Sequence, residues 1–203
     1  MSIPNLYDLF PRERIYPRQY MNNDSETATL ANGCFWCSEA IFKRLKGVKS
    51  VTPGYSGGTI KNPSYDQVCN GTTGHAESIQ IVFDPSVIDF DKILNIFWHT
   101  HNPTTLNRQG NDVGTQYRSA IFYHNEKQRE IAEKLKKDLE KERIYKDSIV
   151  TEIIPFRNFY TAENYHKDYY DKNKQAAYCN FVIDPKIHKL LKEYENDIKA
   201  EYT

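Results

Sequence analysis

Twice in succession the chain reads strand, helix, strand, and that order leaves few ways to bury a core. Thr27–Ala31 has strand character, Phe35–Leu45 carries Ile41, Phe42 and Leu45 at helical spacing before Gly47, and Val48–Tyr55 follows as a second strand. The second set begins with the β-branched run Ser78–Phe83. Asp89 then caps a helix with Phe90, Ile93, Leu94, Phe97 and Trp98 on one broad face, and Ser119–Tyr123 closes the set. Such an order predicts an α+β fold, a split βαβ (ferredoxin-like) mixed sheet with packed helices. Long coil segments, Gly58–His75 and Asn102–Gln116, interrupt it, and loops of that length in compact domains tend to be functional.

The rest of the chain extends this core. Glu126–Arg143 predicts a charged, solvated helix with a buried stripe of Ile131, Leu135 and Leu139, supported by Glu130–Lys134 and Glu133–Lys137 pairs. Ile149–Ile154 predicts a last strand, and a Tyr-rich segment, Phe159–Tyr170, follows. The final helix is expected to start at an Asp184 cap with Pro185 in its first turn, turning Ile187, Leu190, Leu191, Tyr194 and Ile198 inward. Residues 1–25 lack periodicity and read as an N-terminal arm, which leaves 26–203 as a single domain including the C-terminal helix.

Lys plus Arg and Asp plus Glu balance at 27 each, so no bulk charge draws the chain to nucleic acid or to an anionic membrane. No apolar run approaches the roughly 20 residues needed to span a bilayer. Met1–Met21, with Pro4, Asp8, Pro11, Arg12 and Arg14, lacks the apolar core of a signal peptide, so a cytoplasmic location is expected. Four cysteines are too few for a disulfide scaffold in a chain of 203 residues.

Cys34 falls between a predicted strand and the first turn of a helix. Backbone N–H groups left unpaired there, with the helix dipole, favour a thiolate, the nucleophilic form. Gly33 allows a tight turn before it. A packed, inert thiol is the commoner fate of a lone cysteine, but this junction favours reactivity. Cys37 lies one turn further on, so both sulfurs share a helix face within reach of a disulfide. Half of a zinc site would have the same spacing, yet no second C-x-x-C or His pair accompanies it, and no metal is expected. Cys69 reads as a packed thiol, whereas Cys179 fits a core residue or a mobile thiol equally well. Phe35 and Trp36 fit both a small apolar pocket wall and ordinary packing. Glu77, just after Gly74-His75-Ala76, fits a proton-holding acid or a solvated strand end.

Five segments in one order carry more than any of these residues alone: Gly33-Cys34-Phe35-Trp36; Gly54-Tyr55-Ser56-Gly57-Gly58; Gly71-Thr72-Thr73-Gly74-His75-Ala76-Glu77; Gly110-Asn111-Asp112-Val113-Gly114-Thr115-Gln116-Tyr117-Arg118-Ser119; and Ala162-Glu163-Asn164-Tyr165-His166. Over roughly Thr27–Val182 the chain resembles the peptide methionine sulfoxide reductase A family. The resemblance implies that Cys34 attacks the sulfoxide sulfur and that Phe35 and Trp36 hold its methyl group. It implies that Glu77 protonates the oxygen, that Tyr65 and Tyr117 hydrogen-bond it, and that Asp112 sits near that oxygen or a bound water. It further implies the S epimer of methionine sulfoxide as substrate, free or in oxidised proteins under repair. No bound cofactor is implied, and thioredoxin is the implied external reductant. A monomer is expected.

Two departures bear on recycling. Cys37 stands where the family pattern commonly has glycine, and of the usual pair of tail cysteines only Cys179 matches. The resolving thiol is therefore Cys37 or Cys179, or the two act as a relay. Proximity within one helix turn favours Cys37. A general dithiol-disulfide oxidoreductase and a zinc- or peptide-binding module are the alternative readings of the same cysteines.

Overall fold

A computed structural model of the protein describes residues 25–203, and apart from Ser25 the expected N-terminal arm lies outside them. Strands β1 (Glu26–Asn32), β2 (Val48–Ser56), β3 (Ala76–Phe83) and β6 (Ser119–Tyr123) are four of the five expected from sequence. With β7 (Glu152–Pro155) and β8 (Tyr160–Thr161) they form a six-stranded sheet in the order β7-β6-β1-β3-β2-β8. β1 runs antiparallel to both β3 and β6, β2 antiparallel to β3 and β8, and β6 parallel to β7. The inner order β6-β1-β3-β2 is the split βαβ arrangement: each strand-helix-strand passage leaves a gap of one strand, and the other passage fills it.

Helices α1 (Phe35–Phe42) and α3 (Phe90–Thr100) make those two crossovers, and α4 (Glu126–Lys141) packs on α3, β6 and β7. Alternation places Ala28 and Leu30 of β1 on one side of the sheet with Ile79, Ile81 and Phe83 of β3. All five are fully buried in one core with Phe35, Ile41 and Phe42 of α1 and Ile93, Leu94, Phe97 and Trp98 of α3. A smaller cluster of Ala31, Ala76, Ala120 and Phe122 lies on the opposite side under Ile154 and Phe156. A buried polar chain ties α3 to the sheet. His101 Nδ1 donates to the Phe97 carbonyl (2.7 Å), which leaves Nε2 to accept from Ser119 Oγ (2.8 Å), itself 2.8 Å from Thr151 Oγ1. Burial lowers the His101 pKa to about 3, so the ring is neutral and structural.

Several elements differ from expectation. α1 ends at Phe42, short of Leu45, because the C-terminal segment takes over the next backbone groups. Leu45 bridges Ile198, Lys46 N–H donates to Asp197 O and Lys199 N–H to Arg44 O. Gly47 (φ +81) then turns the chain where a Cβ would meet Val87 and Ile88 within 3.0 Å. The first coil contains a short helix, α2 (Tyr65–Cys69), started by a reciprocal Ser64–Gln67 capping box. The second contains a two-stranded hairpin, β4 (Arg108–Gln109) with β5 (Asp112–Val113), and a 3-10 turn at Thr115–Tyr117. The last expected strand starts at Glu152 and not at Ile149.

On α4 the buried stripe is Gln128, Ala132, Leu135 and Leu139, with Ile131 only half-buried. Its ion pairs are Glu126–Arg129, Arg129–Glu133 and Lys134–Asp138 in place of the two expected. Most of all, the final helix does not start at Asp184. It is already helical at 177, passes through a π-helical turn at Cys179–Ile183 and continues as α6 (Asp184–Glu193). Pro185 lacks an N–H, and the wider turn before it accommodates that loss. Asp184 instead accepts the Tyr170 hydroxyl hydrogen at 2.5 Å. Ile187, Leu190, Tyr194 and Ile198 are buried as expected, and Leu191 is half-buried. No helix among the described residues is long and apolar enough to cross a membrane.

Ile81 is fully buried at the centre of the larger core. Ile81→Ala should cost about 2–5 kcal/mol, read as a urea midpoint shift, while exposed Lys137→Ala should stay within about 0.5 kcal/mol. Equal effects would show that the core is not centred on β3.

Candidate active site

Gly33 and Cys34 make the entire turn between β1 and α1. At Gly33 the backbone is left-handed (φ +96), and a Cβ would lie 2.7 Å from the Gln109 side chain, so only glycine fits. Ser38 Oγ donates to Asn32 Oδ1 at 2.5 Å and to Cys34 O at 3.2 Å, tying the strand end to the helix start. Cys34 holds the position just before the helix in an extended conformation, and its side chain caps nothing.

Glu77 caps the helix in its place. On β3 it continues the alternation of Ile79, Ile81 and Phe83, so it projects from the helix-covered side of the sheet. There Oε2 accepts the Phe35 N–H at 3.0 Å, and the residue is 1% exposed. Burial pushes its pKa up to about 8, against the pull of the Phe35 N–H, and the nearby Asp112 charge adds to the rise. Near neutral pH the carboxyl therefore keeps its proton.

The two sulfurs at the start of α1 interact directly. Cys34 is buried and hydrogen-bonded to Cys37; burial first, then the Cys37 thiol and the Glu77 carboxyl, hold its pKa well above the usual thiol range. Cys37 moves the other way, down to about 7, because it accepts the Cys34 hydrogen bond, with help from Lys186 and Tyr178 against its burial. The thiolate expected on Cys34 is opposed by its burial, which raises that thiol's pKa. Glu77 already occupies the first helix N–H, and within the coupled pair Cys34 is pushed up and Cys37 down.

Around the sulfurs stands an aromatic wall. Phe35 is fully buried against Tyr55, Tyr65 and His166, with ring centroids 5.9, 6.4 and 4.9 Å away. Trp36 is half-buried, donates from Nε1 to His166 Nδ1 at 3.0 Å, and stacks flat on Tyr169 at 3.6 Å and 7°. Tyr65 heads α2, its backbone held by Glu163 Oε1 at 2.9 Å, while Glu163 Oε2 takes the Tyr55 hydroxyl at 2.8 Å. Burial works against the Glu163 charge, yet these hydrogen bonds hold its pKa below the ordinary range. Tyr117, at the end of the 3-10 turn, packs beside the cysteines, and burial with the Glu77 charge raises its hydroxyl pKa. Asp112, on the hairpin, accepts the Tyr178 hydroxyl at 2.7 Å, and that hydroxyl is 4.0 Å from Cys37 Sγ.

All nine candidate residues gather at this end of the sheet. Phe35, Trp36 and Tyr65 line the aromatic wall, while Glu77, Tyr117 and Asp112 surround the sulfurs. Cys179 is fully buried in one small cluster with Cys34, Cys37, Ala40, Ile183 and Ile187. Burial and the charges of Asp184 and Cys37 raise its pKa, so it is a packed thiol beside Cys34 and Cys37. All four cysteines are free, and Cys69, half-buried on α2, stands apart from the cluster. Sequence reasoning missed Tyr178, Tyr169 and Lys186 and gave His166 and Glu163 no role; the last two lie in a motif, the first three in a segment without one. Among the described residues no group of three or more His, Cys, Asp and Glu side chains could hold a metal ion.

Comparisons with known proteins give the family and the fold. The family model described as peptide methionine sulfoxide reductase matches residues 26–199. A relative in Saccharolobus solfataricus, peptide methionine sulfoxide reductase MsrA, is 59% identical over 174 residues, covering 86% of this chain and 97% of its own. The crystal structure of reduced Mxr1 from Saccharomyces cerevisiae superposes with a TM-score of 0.71 at 36% identity, over 79% of this chain and 92% of that one. Methionine sulfoxide reductase A of Corynebacterium diphtheriae gives 0.67 at 34% identity, over 77% and 78%. With a buried thiol pair facing a protonated carboxyl at the head of its first helix, this chain belongs to the peptide methionine sulfoxide reductase family and is an enzyme of the MsrA kind.

Proposed function

We propose that the chain reduces the S epimer of methionine sulfoxide, free or in oxidised proteins, with Cys34 as nucleophile and Glu77 as acid. The observation that carries this reading is the protonated Glu77 carboxyl held on the Phe35 N–H beside Cys34. A sulfoxide oxygen leaves its sulfur only once protonated, so an acid has to work opposite a soft nucleophile. Cys34 sulfur attacks the sulfoxide sulfur as Glu77 protonates the oxygen. The hydroxyl then shifts from the substrate sulfur to the Cys34 sulfur as the transient S–S bond and the substrate S–O bond break, so methionine leaves two electrons richer and Cys34, oxidised by the same two, is left as a sulfenic acid. Phe35 and Trp36 take the substrate's methyl group. Tyr65 and Tyr117 hydrogen-bond the oxygen, with Asp112 close to it.

Cys37 then attacks the Cys34 sulfenic sulfur, water leaves, and a Cys34–Cys37 disulfide remains. A pKa near 7 suits Cys37 to that attack, because a thiol is most effective when it titrates near ambient pH. Cys179, adjacent but with a raised pKa, is the reserve partner in a relay. Thioredoxin, an external dithiol, reduces the disulfide and no bound cofactor is needed. Four free thiols suit a monomer in the reducing cytoplasm, repairing oxidised proteins.

Three measurements test this. With thioredoxin and NADPH-coupled recycling, a racemic sulfoxide should be consumed to half, and equal use of both epimers would overturn the stereochemical assignment. Cys34→Ser should form no methionine. Cys37→Ser should give about one methionine per chain and then stall, and mass mapping of the parent after one turnover should find Cys34 joined to Cys37. Steady cycling by Cys37→Ser at the parent rate would transfer the resolving role to Cys179. Third, Glu77 is competent while protonated, so kcat/KM should fall as pH rises through about 8, its pKa in the folded protein. Glu77→Gln should lower the rate about 100-fold or more and lose that alkaline limb. It should also raise stability. A carboxyl whose folded pKa lies above its ordinary 4.5 loses stability as pH rises from there to about 8, and Gln does not titrate. An alkaline limb retained in Glu77→Gln would assign it to another group.

A further inference from the structure

Glu39 is a buried titratable group that the proposed reaction leaves unused. It is 2% exposed on α1, three residues after Trp36 and four before Lys43, which puts all three side chains on one helix face. A single stretch of chain, 166–171, lies along that face. His166 accepts the Trp36 indole N–H at 3.0 Å, and Tyr169 stacks flat on the Trp36 ring at 3.6 Å. Between them Asp168 donates its backbone N–H to both Glu39 oxygens, at 3.0 and 2.9 Å. Its carboxylate meets Lys43 at 2.5 Å, and Asp171 meets Lys43 at 2.6 Å and Arg44 at 3.5 Å.

This stretch cannot hold its own shape. The helix that carries Tyr169, α5 (Tyr169–Lys172), is one turn long and buries none of its residues. Asp168 before it is left-handed at φ +56, a conformation that a non-glycine residue keeps only where its surroundings demand it. Two anchors meet there. The Lys43–Asp168 ion pair is partly open to water, with side chains 19% and 37% exposed, and such pairs contribute little. Asp168 N–H meets both Glu39 oxygens at a side chain only 2% exposed, where water cannot replace them, so this is the stronger restraint; burial raises the Glu39 pKa to about 7, and the carboxyl accepts that N–H with or without its proton.

We propose that Glu39 is a positioning residue: by holding the Asp168 backbone it fixes Tyr169 as a plate behind Trp36 and so sets the indole's orientation in the methyl-binding wall. Glu39 touches neither substrate nor sulfur in this scheme, and acts on binding through Tyr169 and Trp36. The inference rests on the reading of Trp36 as part of that wall.

Single-turnover measurements of methionine formed against sulfoxide concentration test it, with Trp36 emission recorded on the same folded proteins. Glu39→Ala should weaken sulfoxide binding about five- to tenfold and leave the saturating rate within about twofold. Glu39→Gln keeps an acceptor oxygen for the Asp168 N–H and should bind within about twofold of the parent. Tyr169→Leu removes the plate and leaves Glu39 in place, so it should reproduce the weaker binding even if Glu39→Ala does not fold. Trp36 emission should shift to the red in Glu39→Ala and Tyr169→Leu. Parent-like affinity in Tyr169→Leu, or unchanged emission in folded Glu39→Ala, overturns the proposal. A parent protein that reduces no sulfoxide would defeat the proposed function instead, and the emission of the substrate-free variants would still decide the role of Glu39.

Discussion

The site is organised by one hydrogen bond, from the Phe35 N–H to Glu77 Oε2 at 3.0 Å. It joins the head of α1, just after Cys34, to the central strand β3, so the helix that follows Cys34 and the strand that carries Glu77 meet in a single polar contact. It also settles the electrostatics. A carboxylate under a helix N-terminus would ordinarily be stabilised as an anion, but Glu77 is 1% exposed among Ile79, Phe35 and Tyr55, and desolvation outweighs the one donor it receives. The outcome is a protonated acid where a helix dipole alone would predict a charged one. The same occupancy removes the N–H that would have favoured a thiolate on Cys34.

What was legible in the sequence follows from local periodicity. The β-branched runs and the capped amphipathic stretch of α3 announce themselves because one face of each is wet or one period is clean. α1 is different: of its eight residues only Trp36 is not buried, so no amphipathic stripe exists to show that Ser38 and Glu39 are enclosed. Its last turn was overestimated because Leu45 pairs with Ile198, a partner more than 150 positions away. The π-helical turn at Cys179–Ile183 was invisible for a related reason. Pro185 reads as a helix start from its own position, and only continuous helical chain before it turns that signal into a widened turn.

Within the site, Cys34, Cys37 and the aromatic pair declare themselves by position at a strand-helix junction. Glu77 could have been read more sharply, since it continues the Ile79-Ile81-Phe83 alternation and so shares their buried face. No such pattern marks Tyr178. It reaches the site from 66 positions beyond Asp112, and its importance rests on a hydroxyl lying between Asp112 and Cys37. Contacts of that range depend on how the π-turn is placed against α1, which local propensity does not encode.

Three acidic groups, Cys34, Cys37 and Glu77, share one desolvated volume, and together they cannot all be charged. Cys37 is pushed down to about 7 and Glu77 up to about 8, so a single negative charge in this volume is favoured on sulfur over the carboxyl. In the proposed reaction this distribution serves both partners of the attack. Cys34, already hydrogen-bonded to Cys37, passes its proton there as it bonds to the substrate, so the nucleophile is generated without creating a second anion. Glu77 meanwhile gives its proton to the departing oxygen. With glycine in place of Cys37 the proposed scheme would lose both that proton acceptor and its resolving sulfur. In that scheme both roles fall to Cys37 because each calls for a thiol that titrates near neutrality within one helix turn of Cys34.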